Sequence, residues 1–146
     1  MLSTIIICGI GFFSNNGDTI IGRTHYNHVE YFSNQYLEEL GHLKKGVPNG
    51  YWITFYEDGK NRKVANYKEG VLSGDYFEWY SNGQIKEEGL YKHGRKIGKW
   101  TTRDAHGNII KIDIFDRKGK LKHTIKKTVD KTPNGPSNKT DLFEIA

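Results

Sequence analysis

From Gly50 to Tyr56 the side chains alternate, with Trp52, Thr54 and Tyr56 on one face of an extended strand and Tyr51, Ile53 and Phe55 on the other. Both faces carry rings, which suits a thin sheet held by cross-strand ring pairs better than a sandwich with one dry and one wet face. Two further extended runs, Phe77 to Tyr80 and Ile85 to Tyr91, flank Asn82-Gly83, and Asp58-Gly59 holds the same place one unit earlier. These dipeptides predict two-residue hairpin turns with both central residues at positive φ. Further turns are predicted at Glu69-Gly70 and His93-Gly94, so the chain reverses about every 10 to 13 residues. The chain shows no sustained helical periodicity.

The turns recur on a fixed period. Glycines fall at 46, 50, 59, 70, 74, 83, 94, 98 and 107, so the spacing 4, 9, 11 repeats, and Gly50, Gly74 and Gly98 mark successive periods. Rings keep the same period: Trp52, Tyr76 and Trp100 share one position, Phe55 and Trp79 another, Tyr56 and Tyr80 a third, and Tyr67, Tyr91 and Phe115 a fourth. Four units follow, at 26–49, 50–73, 74–97 and 98–121. The first is degenerate, with Tyr26 and Gln35 at glycine places. The last is decaying, with Arg103 and Asp104 replacing paired rings and with Gly119 implying one inserted residue. The predicted fold is all-β, an elongated single-layer antiparallel β-meander built from 24-residue hairpin repeats. Residues 1–25 are expected to form one or more N-terminal strands or a cap, Phe12 to Tyr26 resembling a shortened unit. Residues 122–146 are expected to give a last strand and a flexible tail.

Length and charge narrow the function. A chain of 146 residues fits one domain, and no run approaches the 18 apolar residues of a spanning helix. Basic and acidic residues number 7 and 9 up to Ile85, 13 and 5 from Lys86 to Lys127, and 2 and 3 beyond, which concentrates the net +5 in residues 86–127. Cys8 alone forms neither an intrachain disulfide nor a cysteine-based zinc site. The six histidines are scattered, and His25 and His28 would lie on opposite strand faces, so no metal site and no cofactor are expected. Adjacent acids such as Glu38-Glu39 and Glu87-Glu88 also point to opposite faces, and no phosphate-binding loop or nucleophile motif occurs. No catalytic residue is therefore expected.

Both ends carry readings of their own. The apolar run from Ile5 to Phe13 is expected to be a strand, since it lacks a basic flank and a small-residue cleavage site. The expected location is the cytoplasm, with the cell envelope or secretion as the alternative if residues 1–13 are a signal segment. At the other end Lys122 to Val129 reads as a lysine-rich edge strand, Lys126 and Lys127 discouraging edge-to-edge association. TPNGPSNKTD reads as a linker, and Leu142, Phe143 and Ile145 are expected to dock on a sheet face or to serve as a partner-binding peptide.

GDYFEWYSNGQIKEEGLYKHGRKIG resembles the MORN-variant repeat found in YwqK-like antitoxin components. The resemblance runs from Tyr26 to about Leu121 through Gly50, Trp52, Tyr56, Gly59, Tyr67, Gly70, Gly74, Tyr76, Tyr80, Gly83, Tyr91, Gly94, Gly98 and Trp100. It implies successive hairpins and a binding or scaffolding role without catalysis, including the neutralisation of a toxin by covering its surface. The expected partner-binding residues are Trp52, Tyr56, Tyr76, Tyr80 and Trp100 as anchors, with Lys86, Lys92, Lys96 and Lys99 at the rim. Two alternatives compete with this protein-protein scaffold. One is binding of an anionic membrane surface or nucleic acid through 86–127, and the other is a structural assembly role.

Overall fold

The computed structural model describes residues 5–7, 10–15, 18–21, 24–127 and 143–145. Cys8, the linker at 132–141 and Leu142 fall outside them. The N-terminal apolar run forms strands: β1 (Ile5–Ile7), β2 (Ile10–Asn15), β3 (Asp18–Ile21) and β4 (Thr24–Tyr26) make a four-stranded antiparallel sheet.

The repeats build the main sheet. Its strands are β5 (His28–Tyr31), β6 (Leu37–Gly41), β9 (Gly50–Phe55), β10 (Asn61–Lys68), β11 (Val71–Trp79), β12 (Ile85–Lys92), β13 (Arg95–Arg103), β14 (Ile109–Phe115), β15 (Leu121–Lys127) and β16 (Phe143–Ile145). They lie side by side in chain order as a ten-stranded sheet, each pair antiparallel. Between β6 and β9, β7 (Leu43–Lys44) and β8 (Val47–Pro48) form a short hairpin of their own. The described residues contain no helix, and the all-β meander of hairpins predicted from the period is the fold.

The turns are of two kinds, and their order corrects the expectation. At Asp58-Gly59 and Asn82-Gly83 only the glycine has positive φ. There the Tyr56 N–H donates to Lys60 O and the Gly59 N–H to Tyr56 O, and Tyr80, Gly83 and Gln84 repeat the pattern. The Asn82 side chain accepts the Gln84 N–H, which fixes Asn82 within this wider loop. The tight two-residue turns with both φ positive are instead Lys45-Gly46, Glu69-Gly70 and His93-Gly94. In the last repeat the corresponding turn takes the wider form, with the Asp116 N–H donating to Lys120 O, and the residue inserted before Gly119 supplies the extra length.

The degenerate first copy keeps its wide turn. Gln35 adopts φ 69 where the other repeats use glycine, and the Phe32 N–H to Tyr36 O bond closes the loop. The C-terminal segment differs from expectation in where it docks. Phe143–Ile145 adds to the edge of β15, opposite Lys127 and Ile125, rather than to a face. Lys126 and Lys127 therefore lie on a paired strand.

The core is a row on one face. Register brings His28 beside Gly41, Trp52 beside Ala65, Ala65 beside Tyr76, and Tyr76 beside Gly89, with Trp100 next in the row beside Asp113. Rings thus alternate with the smallest residues, and a Cβ added at Gly41 or Gly89 would stand 2.1 or 2.4 Å from the indole of Trp52 or Trp100. Glycine is needed at these two positions for close approach.

Candidate binding surface

Of the expected anchors, the two tryptophans are buried and the three tyrosines are partly exposed. Trp100 is only 1 % exposed and Trp52 8 %, so neither indole offers a surface to a partner. Tyr91 stands edge-on to both Tyr76 and Trp100, at centroid distances of 5.5 and 4.9 Å, and Tyr67 stands edge-on to Trp52 at 6.3 Å. The Trp100 Nε1–H donates to Leu90 O. Each repeat buries its ring against its neighbour's, the physical reason a ring that marks the period is occupied by the fold.

Tyr56 and Tyr80 close the wide turns. The Tyr56 hydroxyl donates to Trp79 O at 2.6 Å and the Tyr80 hydroxyl to Arg103 O at 2.9 Å, tying each turn to the next repeat. Tyr76 is half-buried, and its hydroxyl donates to Glu78 at 3.2 Å. Burial and then the charge of Glu78 push the Tyr76 phenol well above its usual range. Burial likewise raises Tyr67 and Tyr91. These phenols stay neutral at physiological pH.

The expected rim lysines divide into two groups. Lys86 donates to Glu78 at 2.7 Å, and this bond raises its pKa. Lys96 bonds Glu87 at 2.8 Å and sits 3.8 Å from the centroid of the Trp100 ring. Both belong to the ring-bearing face. Lys92 and Lys99 are exposed and have no partner among the described residues. Lys99 lies on the opposite face, at a shallow hollow of about 280 Å³ that Asp75, Phe77, Glu88, Gly89, Leu90 and Thr101 also line.

The larger feature is one that charge counting along the sequence misses. Because strands alternate in direction, every second turn lies on the same edge of the sheet. The tight turns and the last wide turn share one edge, which exposes Lys44, Lys45, Lys68, Lys92, Arg95, Arg117, Lys118 and Lys120 against only Glu69 and Asp116. The opposite edge carries Glu57, Asp58, Lys60 and Asp104 in its turns and exposed Arg62 near the start of β10, with Lys60 held by Asp58 at 2.6 Å. Successive basic turns stand two strands apart, about 9.6 Å at ordinary strand spacing.

These turns touch. A Cβ on Gly70 would lie 3.4 Å from Val47, one on Gly94 3.4 Å from Val71, and one on Gly119 2.7 Å from Arg95. The Gly70 N–H donates to Pro48 O, the Gly94 N–H to Leu72 O, and Arg95 Nη1–H to Lys118 O. The result is a continuous edge along which Val47 (40 % exposed), Val71 (46 %) and Leu121 (48 %) stand among the cations. Lys44, Lys68 and Lys92 follow one another at exactly the glycine period, a signal that sequence alone could have given.

Residues 48–69 and 72–93 match the profile described as MORN repeat variant. The chain carries MORN-variant repeats. The two matched stretches lie one period apart and cover most of the second and third units, each ending at the first residue of a tight turn. The chain has no match among curated proteins. In these matched repeats the signature falls mainly on residues that build the fold, and the basic edge is carried by residues between the signature rings.

Proposed function

We propose that this MORN-variant protein is a non-catalytic scaffold that binds an acidic partner protein along its basic turn edge. The observation that carries the reading is the edge itself, where contacting turns present unpaired Lys68, Lys92 and Lys118 beside exposed Val47, Val71 and Leu121. Aliphatic contact ringed by charge is the composition of a protein interface, and the cations would steer an acidic partner into place. A toxin neutralised by being covered is one form such a partner would take, an idea resting on the family resemblance alone.

Two other anionic partners fit the edge less well. Strands in a sheet are rotated by about 20 to 25° each, so turns two strands apart rotate by about 40 to 50° and depart from the plane a flat bilayer would require. Non-specific single-stranded nucleic acid is held by stacking on rings, whereas the exposed apolar residues at these turns are aliphatic. The test sets the three against one another at about 0.15 M salt: cross-linked capture of proteins, flotation with phosphatidylserine vesicles, and polarisation of labelled single- and double-stranded DNA. The reading expects a stoichiometric acidic protein and negligible vesicle or DNA binding. Tight vesicle or DNA binding with no stoichiometric protein overturns it.

A further inference from the structure

The first repeat carries a cluster that no other repeat has. His28 and Glu30 stand two residues apart on β5, and register places Glu39 of β6 opposite Glu30, so all three side chains share the ring-bearing face. His28 Nε2 lies 3.3 Å from Glu39 Oε1 and 3.6 Å from Glu30 Oε1, and the donor atoms of the three all fall within 4.8 Å of one another. Zinc bonds of about 2.0 to 2.2 Å in a tetrahedron put neighbouring ligand atoms about 3.3 to 3.6 Å apart. The imidazole is held in place by Trp52, on which it stacks at 4.7 Å and 27°.

Comparison within the chain shows what is unusual here. The carboxylates two periods on, Glu78 and Glu87, are each neutralised by a lysine, Lys86 and Lys96 respectively. The residues two periods before those lysines are Glu38 and Pro48, so among the described residues Glu30 and Glu39 meet no lysine or arginine, only the His28 imidazole. Next in the row, Thr54 pairs with Glu39 on the same face. It is 7 % exposed, and its Oγ1 is buried without a hydrogen-bond partner. A buried hydroxyl beside a carboxylate is suited to orienting that carboxylate on a metal.

We propose that His28, Glu30 and Glu39 form a zinc(II) site. One imidazole and two carboxylates suit a borderline metal, and the nitrogen ligand disfavours calcium or magnesium. Three protein ligands leave a fourth position for water or for a donor from a partner. The site is independent of the basic edge, since its ligands stand on β5 and β6 and face the ring row.

The test uses the full chain stripped of metal and titrated with zinc chloride by calorimetry. Cobalt(II) in place of zinc adds a visible spectrum that reports coordination. One equivalent is expected, with affinity falling at least tenfold in Glu39→Gln and in His28→Phe. The latter keeps a ring on Trp52, as Tyr and Trp do at this place in later repeats, and so guards against loss of fold, which circular dichroism checks. Replacing His42, His93 and His123 together by Ala should leave that equivalent intact. The proposal is overturned if folded His28→Phe binds zinc like the parent chain, if the three-histidine variant loses the equivalent, or if the parent binds no stoichiometric zinc.

Discussion

The indole of Trp100 lies so close over Gly89 that a methyl group there would stand 2.4 Å from the ring. Trp52 and Gly41 repeat the relationship two periods earlier, and Ala65 fills the same place between Trp52 and Tyr76. A single-layer sheet has no second layer to cover its rings, so each ring is buried by lying over a residue that has almost no side chain and by contact with the next repeat's rings. Gly89→Ala should therefore destabilise by at least about 2 kcal/mol, the range of overpacking in a closed core. Gly83→Ala, where φ is 88 and nothing lies within 4 Å, should lose only about 1 kcal/mol through the left-handed backbone. Urea midpoints of the two variants decide it, and equal losses would contradict the role given to ring contact.

Gln35 is the mirror case. It holds φ 69 at a turn position that later repeats give to Gly59, Gly83 and Gly107. Gln35→Gly should stabilise the chain by about 0.5 to 1 kcal/mol, because relief of the left-handed strain exceeds the entropy glycine adds to the unfolded chain. A lower urea midpoint would show that the side chain contributes more than its backbone loses.

Acid should loosen the turns from one direction only. Hydrogen bonds from the Asn108 side chain, and then from backbone N–H groups, hold Asp104 below the usual carboxylate range, and the Lys120 backbone N–H does so first for Asp116. A carboxylate with a depressed folded pKa contributes stability that is fully present above its unfolded value of about 3.9 and is lost as pH falls through the folded value. Stability from these groups should thus be level between about pH 7 and 5 and decline below about pH 4. The Asp104→Asn, Asp116→Asn double variant should show a shallower decline in chemical denaturation at each pH. An unchanged slope would place the acid sensitivity elsewhere.

The wide turns also make a discrete contribution. Tyr80→Phe removes the hydroxyl bond to Arg103 O and leaves a half-buried carbonyl without that partner, so a loss of about 1 kcal/mol is expected. Tyr51→Phe removes a 3.3 Å bond to Asp75 at an exposed position and should change stability little. Thermal denaturation of both variants should give the larger shift for Tyr80.

The repeat was legible because its turns need glycine at fixed intervals and its rings must meet their counterparts one unit on. What charge counting by segment did not show was which residues share an edge. Counting charges over 86–127 mixes Lys86 and Lys96, which are paired on the ring face, with Lys92 and Lys118, which stand exposed at the turn edge. Asn82-Gly83 reads as a tight turn although that dipeptide also fits the wider loop, and the extra Tyr80 to Gln84 closure is invisible without coordinates. The His28 cluster stayed hidden for a similar reason: Glu39 reaches it only through the β5 to β6 register, which shifts between Glu30 and Tyr31. Local chemistry was readable, and cross-strand neighbours were not.

The proposed function rests on the basic edge, and charge reversal tests it directly. Lys68→Glu, Lys92→Glu and Lys118→Glu combined leave every ring contact and turn bond described above in place. The measurement is the affinity of the captured partner for this variant and for the parent at about 0.15 M salt, with circular dichroism showing both folded. The account predicts that the folded variant loses at least tenfold in affinity while Lys99→Glu, on the sheet face, binds as the parent does; undiminished binding by the triple variant would contradict it.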